Sequence, residues 1–237
     1  MSPNDPVNPV PDPPGAPRTR GVVLTKAAAF YDLLSPAMLF WQEQPINRRA
    51  VAFLCLKPSD LVLDVGCATG GLTLAVSEAL SGEKGGLAIG IDASPQMIAI
   101  ARKKVTRGGR KRPCRFDLGV AEDLPYENET FDAYASSFFF HHLNLEDKLK
   151  ALKEAFRVLK PGGKCCIIDV DTPTNLIGKI SAWSGAWLFK QPELIENIEG
   201  KLVPLFTEAG FTELKNCAHH LGYITTFLMC KQQKGIL

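Results

Sequence analysis

Val62-Leu63-Asp64-Val65-Gly66-Cys67-Ala68-Thr69-Gly70-Gly71 is the stretch on which the fold turns. An apolar run of strand length ends in a glycine turn. Leu72, Ala75, Val76 and Leu80 then recur at helical spacing up to Gly82. Such a turn lets a ligand approach the backbone with no Cβ in the way. A pyrophosphate site calls for G-x-G-x-x-G, so that the phosphates rest on the helix N-terminus. Here the pattern is Gly66-x-x-x-Gly70-Gly71, with Ala68 at the place of a middle glycine, and no G-x-x-x-x-G-K-[ST] loop occurs.

Working outward, Leu87 to Ile91 reads as a second buried strand ending at Asp92. Ser94 and Pro95 then suit the N-cap and first position of a helix. Arg115 to Leu118 and Phe131 to Phe138 read as strands three and four. A helix over Leu145 to Leu159 is stopped by Lys160-Pro161-Gly162-Gly163, and Lys164 to Val170 is a fifth strand. Upstream, Lys26 to Leu56 is helical in pattern, broken at Pro36. Residues 171–200 read as an irregular stretch, followed by a helix to Gly210. Phe211 to Cys217 and Tyr223 to Cys230 follow each other without a helix between, which predicts an antiparallel hairpin at a sheet edge. The alternation predicts an α/β fold, Rossmann-like: a seven-stranded, mostly parallel sheet with helices on both faces. Asp64, just before the turn, suits an ammonium group better than a pyrophosphate. Asp92 lies where a carboxylate accepts hydrogen bonds from both ribose hydroxyls. Adenosine ribose plus ammonium, with no phosphate seat, describes S-adenosylmethionine.

Leu63 to Gly70 resembles motif I of class I S-adenosylmethionine-dependent methyltransferases. Asp92-Ala93-Ser94-Pro95-Gln96-Met97 is similar to the segment that follows it. Ala121-Glu122-Asp123-Leu124-Pro125-Tyr126 with Phe131-Asp132 looks like the adenine-side motif and fourth strand, and Leu159 to Gly163 looks like the turn into the fifth. Tyr31-Asp32-Leu33-Leu34 resembles an element of the small-molecule members, including the ubiquinone and menaquinone C-methyltransferase group. The resemblance implies that Gly66, Cys67 and Gly70 face the methionine portion, with Asp64 near its amino group. Ser136 or Ser137 would offer that group a carbonyl. Asp92 would hold the ribose, Ala93 and Met97 would flank the adenine, and the Ala121-Glu122 pair would border it. Tyr31 would lie over the methyl end. Val120 stands where the family often has Asp or Asn, which predicts weaker discrimination at the adenine amino edge. The resemblance further implies a methyltransferase domain over 21–237, with a helical lid at 21–56 and an acceptor-site cover at 171–200.

Methyl transfer from a sulfonium needs alignment, exclusion of water and, for some acceptors, a base. His141 and His142, after the fourth strand, are the candidate bases, with His142 favoured. Phe40, Trp41, Trp183, Trp187 and Phe189 read as an apolar acceptor pocket. The expected reaction moves the methyl to a C, O or N atom of a small, partly apolar acceptor. The basic run, eight cations and no acid between Arg102 and Arg115, supports a competing reading: contact with RNA or with a membrane surface through lipid headgroups. A non-catalytic S-adenosylmethionine-binding protein is the third.

Composition sets the bounds. The 237 residues, 46% hydrophobic and 22% charged, suit one globular domain and exclude a fibrous or disordered chain. Seven prolines among residues 1–20 predict a disordered lead. A net charge of +2 names no polyanionic partner, and nucleic acid is not expected. Seven cysteines without a C-x-x-C indicate neither a zinc cluster nor a disulfide framework, so no metal is expected and a reducing, cytoplasmic setting is. No apolar run reaches the ~18 residues of a membrane span.

Overall fold

The computed structural model describes residues 42–107, 112–189 and 191–232. Tyr31, Phe40, Trp41, the proline-rich lead and most of the expected lid lie outside the described residues.

The chain enters on helix α1 (Glu43–Leu54), which buries Ile46, Asn47, Ala50 and Leu54 and ends at Cys55 in the left-handed region. Strand β1 (Leu61–Val65) leads through the glycine turn into α2 (Gly71–Ser77). That helix is shorter than its apolar spacing predicts. The Ser77 hydroxyl donates to the Leu74 carbonyl, and the amides of Ala79 and Leu80 tighten to i−3 partners. Strand β2 (Leu87–Asp92) feeds α3 (Pro95–Arg107). Ser94 caps it as expected, its Oγ accepting from the Met97 amide at 3.3 Å. Strands β3 (Cys114–Leu118) and β4 (Phe131–Ser137) follow. Helix α4 (Leu145–Val158) is capped by Asn144, whose side chain accepts from the Asp147 amide. Strand β5 (Leu159–Val170) starts earlier than expected: Leu159 already pairs with Phe131, and the register jumps to Lys164 opposite Ala133, leaving Lys160 to Gly163 as a bulge.

Residues 171–200 are not irregular. They form α5 (Leu176–Phe189) and α6 (Pro192–Ile198). The periodicity misled because the buried positions of α5 are small, Gly178, Ala182 and Ala186, while Leu176, Ile177, Ile180, Trp183 and Trp187 point outward. After α7 (Leu202–Glu208), β6 (Thr212–His220) and β7 (Ile224–Cys230) form the expected hairpin.

The sheet order is β3-β2-β1-β4-β5-β7-β6, parallel throughout β3 to β5 and antiparallel where β7 meets β5 and β6. Alternate residues of each strand face opposite layers. Leu63, Val65, Ile89 and Ile91 pack with α4 and α7. Val62, Ala88, Ala133 and Ala135 pack with α1 and α2. The order reverses between β1 and β4, so a crevice opens at their carboxyl ends, where ligands of open α/β sheets bind.

Candidate active site

The turn after β1 is held by Gly66 and Cys67, whose amides both donate to the Ile91 carbonyl. Gly66 has φ +70°, and a Cβ there would come within 2.3 Å of the Phe139 ring. The missing side chain therefore makes room for a ring of the protein itself. Gly70 (φ +86°) faces Phe116 in the same way. The turn borders a cleft open to solvent. Gly66, Cys67, Ala68, Thr69, Gly71 and Leu72 line it, with Asp64 from β1, Ser137 from β4, and Glu43 and Asn47 from α1.

Asp64 is buried beneath this cleft. Its Oδ2 accepts from the Thr73 hydroxyl at 2.6 Å, while Oδ1 has no hydrogen-bond partner. Burial raises its carboxyl to about 7, against the Thr73 hydrogen bonds and with some help from Asp92. A half-satisfied, buried carboxylate is costly unless a cation or donor completes it. The free Oδ1 beside the turn fits an ammonium group.

Asp92 is fixed by two backbone amides. Oδ2 accepts from Ala68 at 2.9 Å and Oδ1 from Ser94 at 2.8 Å. Burial pushes its carboxyl up, and these two amides oppose the rise. Each oxygen keeps a second lone pair, which suits the two hydroxyls of a ribose. The amide from Ala68 also ties the turn to β2, so both acids belong to one rigid unit.

Other expected site residues fall in different places. The Ser136 hydroxyl is buried and donates to the Val65 carbonyl, whereas the Ser137 hydroxyl donates to Asn47 Oδ1 at 3.0 Å. The Cys67 side chain packs with Ile98, Ala101 and Phe116, and burial holds its thiol well above the ordinary value. Ala93, Met97, Ala121 and Glu122 are not among the residues lining the cleft; Met97 and Ala121 are buried.

The two histidines differ sharply. His141 sits in the short helical turn Phe140–His142, and its Nδ1 lies 2.7 Å from Asp169 Oδ1, at the carboxyl end of β5. Asp169 is completely buried. Burial drives its carboxyl up, but the charge and hydrogen bond of His141, with the Val170 amide, outweigh that and leave it below the ordinary carboxylate value. Asn197 of α6 also reaches the pair, donating to Asp169 Oδ1 and to the Val170 carbonyl. Among the described residues no carboxylate is hydrogen-bonded to His142, although the charge of Asp169 acts on it. Its Nδ1 is buried without a hydrogen bond, and burial, aided by repulsion from His141, pushes its imidazole down to about 3. Such a ring is neutral and a feeble base near pH 7, so the environment favours His141 rather than His142.

Sequence reading missed Glu43, Asn47, Thr73 and Asp169. Asp169 was detectable, since an acid closing the apolar run Cys165 to Ile168 repeats the pattern of Asp64 in β1. The basic run is engaged within the fold at four points. Arg102 donates to the Phe116 carbonyl, Lys104 to Thr69, Arg112 to Glu78 and Arg115 to Asp117. Trp187, expected in an acceptor pocket, is largely exposed. Among the described residues no cluster of three or more His, Cys, Asp or Glu side chains could hold a metal ion, and no helix is long and apolar enough to cross a membrane.

Known proteins match this arrangement. A solved S-adenosylmethionine-dependent methyltransferase from Aquifex aeolicus superposes with a TM-score of 0.61 over 86% of this chain and 98% of its own, at 22% identity, which shows the fold. Demethylmenaquinone methyltransferase of Symbiobacterium thermophilum is 32% identical over 89% of this chain and 91% of its own length. That of Shouchella clausii is 31% identical over 81% and 90%. The model of the ubiE/COQ5 methyltransferase family matches residues 18–190. With a phosphate-free glycine turn, paired acids at β1 and β2 and these relatives, the chain belongs to the ubiE/COQ5 methyltransferase family and is an S-adenosylmethionine-dependent methyltransferase acting on a small acceptor.

Proposed function

We propose that the acceptor is the hydroquinone ring of a demethylmenaquinone-like molecule, methylated at a ring carbon. The observation that carries this reading is the His141–Asp169 pair, set at the carboxyl ends of β4 and β5, two residues beyond Phe139, whose ring packs against Gly66 of the glycine turn. A carbon of a hydroquinone becomes a strong nucleophile only as the neighbouring hydroxyl loses its proton, so C-methylation needs a base that simple alignment does not supply. Demethylmenaquinone methyltransferases among the relatives point to the same chemistry.

The residues divide the work. Asp64 Oδ1 receives the ammonium of the methionine portion, and the Asp92 carboxylate receives the ribose hydroxyls. When bound, S-adenosylmethionine supplies a methyl group on a sulfonium, already activated for displacement. Asp169 accepts a hydrogen bond from the Nδ1–H of His141, which fixes the ring and leaves Nε2 with its lone pair. Nε2 takes the acceptor's hydroxyl proton as the ring carbon bonds to the methyl. The ring proton then leaves to solvent while His141 Nε2 returns its proton to the acceptor oxygen, restoring the aromatic hydroquinone, and the sulfur would leave as neutral S-adenosylhomocysteine. Asn197 holds Asp169 in place. All seven cysteines are free thiols, which fits a reducing, cytoplasmic compartment.

Labelled S-adenosylmethionine incubated with reduced short-tailed demethylmenaquinone should yield a product carrying the methyl on carbon. His141→Ala should lower kcat by roughly 100-fold or more with KM little changed, the range for loss of a general base. Transfer to oxygen, or an undiminished kcat in the variant, would contradict the proposal.

A further inference from the structure

Helix α5 is built inside out. Gly178, Ala182 and Ala186 face inward, and a Cβ on Gly178 would fall 2.2 Å from the Gly222 carbonyl oxygen, so the helix lies tight against the turn between β6 and β7. Its start is clamped as well, the Gly178 amide donating to Asn175 Oδ1 and the Thr174 amide to the Gly222 carbonyl. The outward face is therefore a property of a firmly seated helix. That face carries Leu176 (72% exposed), Ile177 (75%), Ile180 (62%), Trp183 (41%) and Trp187 (82%). Positions 176, 180, 183 and 187 form one stripe at helical spacing. Lys179 borders it, and from Leu176 to Phe189 there is no acid. Single exposed apolar residues are ordinary, whereas a contiguous set of five marks a contact surface.

We propose that this face of α5 docks the enzyme on an anionic lipid bilayer, lying in the plane of the interface. Fourteen residues are too few to span it. Bulky aliphatic side chains with tryptophans at the headgroup level, bordered by a lysine and free of acids, match an interfacial helix and the negative charge of lipid headgroups. The location also fits. The inner face of α5 packs on Val170 and on Leu194 and Ile198 of α6. Val170 follows Asp169 directly in β5, and Asn197, the neighbour of Ile198 in α6, donates to Asp169, so α5 and α6 pack beside the strand end that carries the His141–Asp169 pair. An acceptor with its apolar tail in the bilayer could thus present its ring to the pair; this part of the inference rests on the acceptor proposed above. The basic run is not needed for docking.

The test uses the full chain and vesicles of mixed phosphatidylglycerol and phosphatidylcholine, with neither quinone nor cofactor present. The protein should float with the vesicles, and brominated acyl chains should quench its tryptophan fluorescence. Combined Ile177→Ser, Ile180→Ser and Trp187→Ser should weaken binding at least about tenfold. Lys179→Glu should give a smaller loss seen only with anionic vesicles. Unchanged thermal unfolding, and unchanged methylation of a short-tailed soluble acceptor, show that the triple variant is folded. Failure of the parent to float, equal flotation of the triple variant, or a dimer in sedimentation that the triple variant splits would each overturn docking. Flotation without methylation of any hydroquinone would leave docking standing and refute the acceptor assignment; methylation without flotation would do the reverse.

Discussion

Asp64 concentrates the electrostatics of the proposed cofactor site in one side chain. Its folded value near 7 lies above the ordinary 3.8, the reverse of a salt-bridged carboxylate. The folded state then holds the proton over a range where the unfolded chain has released it. The contribution of Asp64 to stability is fully present below about pH 4 and is lost as pH rises through 7, by on the order of 4 kcal/mol. A ligand ammonium pairs with the ionised form and opposes this loss. Affinity for S-adenosylmethionine should therefore rise about tenfold between pH 6 and pH 8 and then level. Asp64→Asn should flatten both profiles and weaken binding at pH 8; calorimetry and denaturant melts across pH read the two effects. An affinity in the parent that is independent of pH would refute the role. His141 and His142 make a similar point, since adjacent and chemically identical residues differ in that one is hydrogen-bonded to a buried carboxylate while burial pushes the other down.

Elements carry these residues through their junctions. The β1–α2 turn works because Gly66 accepts both a positive φ and the Phe139 ring at its Cα. Gly66→Ala should cost roughly 2 to 5 kcal/mol, combining left-handed strain with a clash in a packed site. Gly85 provides the control. It has φ +83° but nothing within 4 Å of a built Cβ, so Gly85→Ala should cost only about 1 kcal/mol of backbone strain. Chemical denaturation of both variants measures the difference; equal losses would mean that the Phe139 contact is soft. Helix α5 shows how an element can escape pattern reading. A buried face of Gly and Ala with an exposed face of Leu, Ile and Trp inverts the usual signal, and only its seat on the β6–β7 turn reveals which side is inside.

At the scale of the whole molecule, the site couples distant parts of the sheet. Asp64 and Asp92 come from β1 and β2, Ser137 from β4, Asp169 from β5, and Glu43 and Asn47 from the first described helix. A ligand that satisfies Asp64 Oδ1 therefore stabilises the central strands together. S-adenosylmethionine at about 100 times its Kd should contribute about 2.7 kcal/mol, raising Tm by roughly 5 to 10 °C for a domain of this size. Differential scanning fluorimetry reads the shift. A nicotinamide dinucleotide, which needs a phosphate seat, should leave Tm unchanged.

The positions of the strands, the mostly parallel sheet with its terminal hairpin and the cofactor class were legible in the chain itself, because each is signalled by local patterns. Apolar runs of strand length, the Gly66–Gly70 spacing, the acids that close β1 and β2, and the Ser94-Pro95 cap each act within a few residues of where they are read. What folding alone decided is long-range. Asn47 reaches Ser137 across 90 positions and Asp169 reaches His141 across 28. Which histidine meets a buried carboxylate, and which face of α5 meets solvent, depend on burial and on partners far away along the chain, where no spacing rule applies.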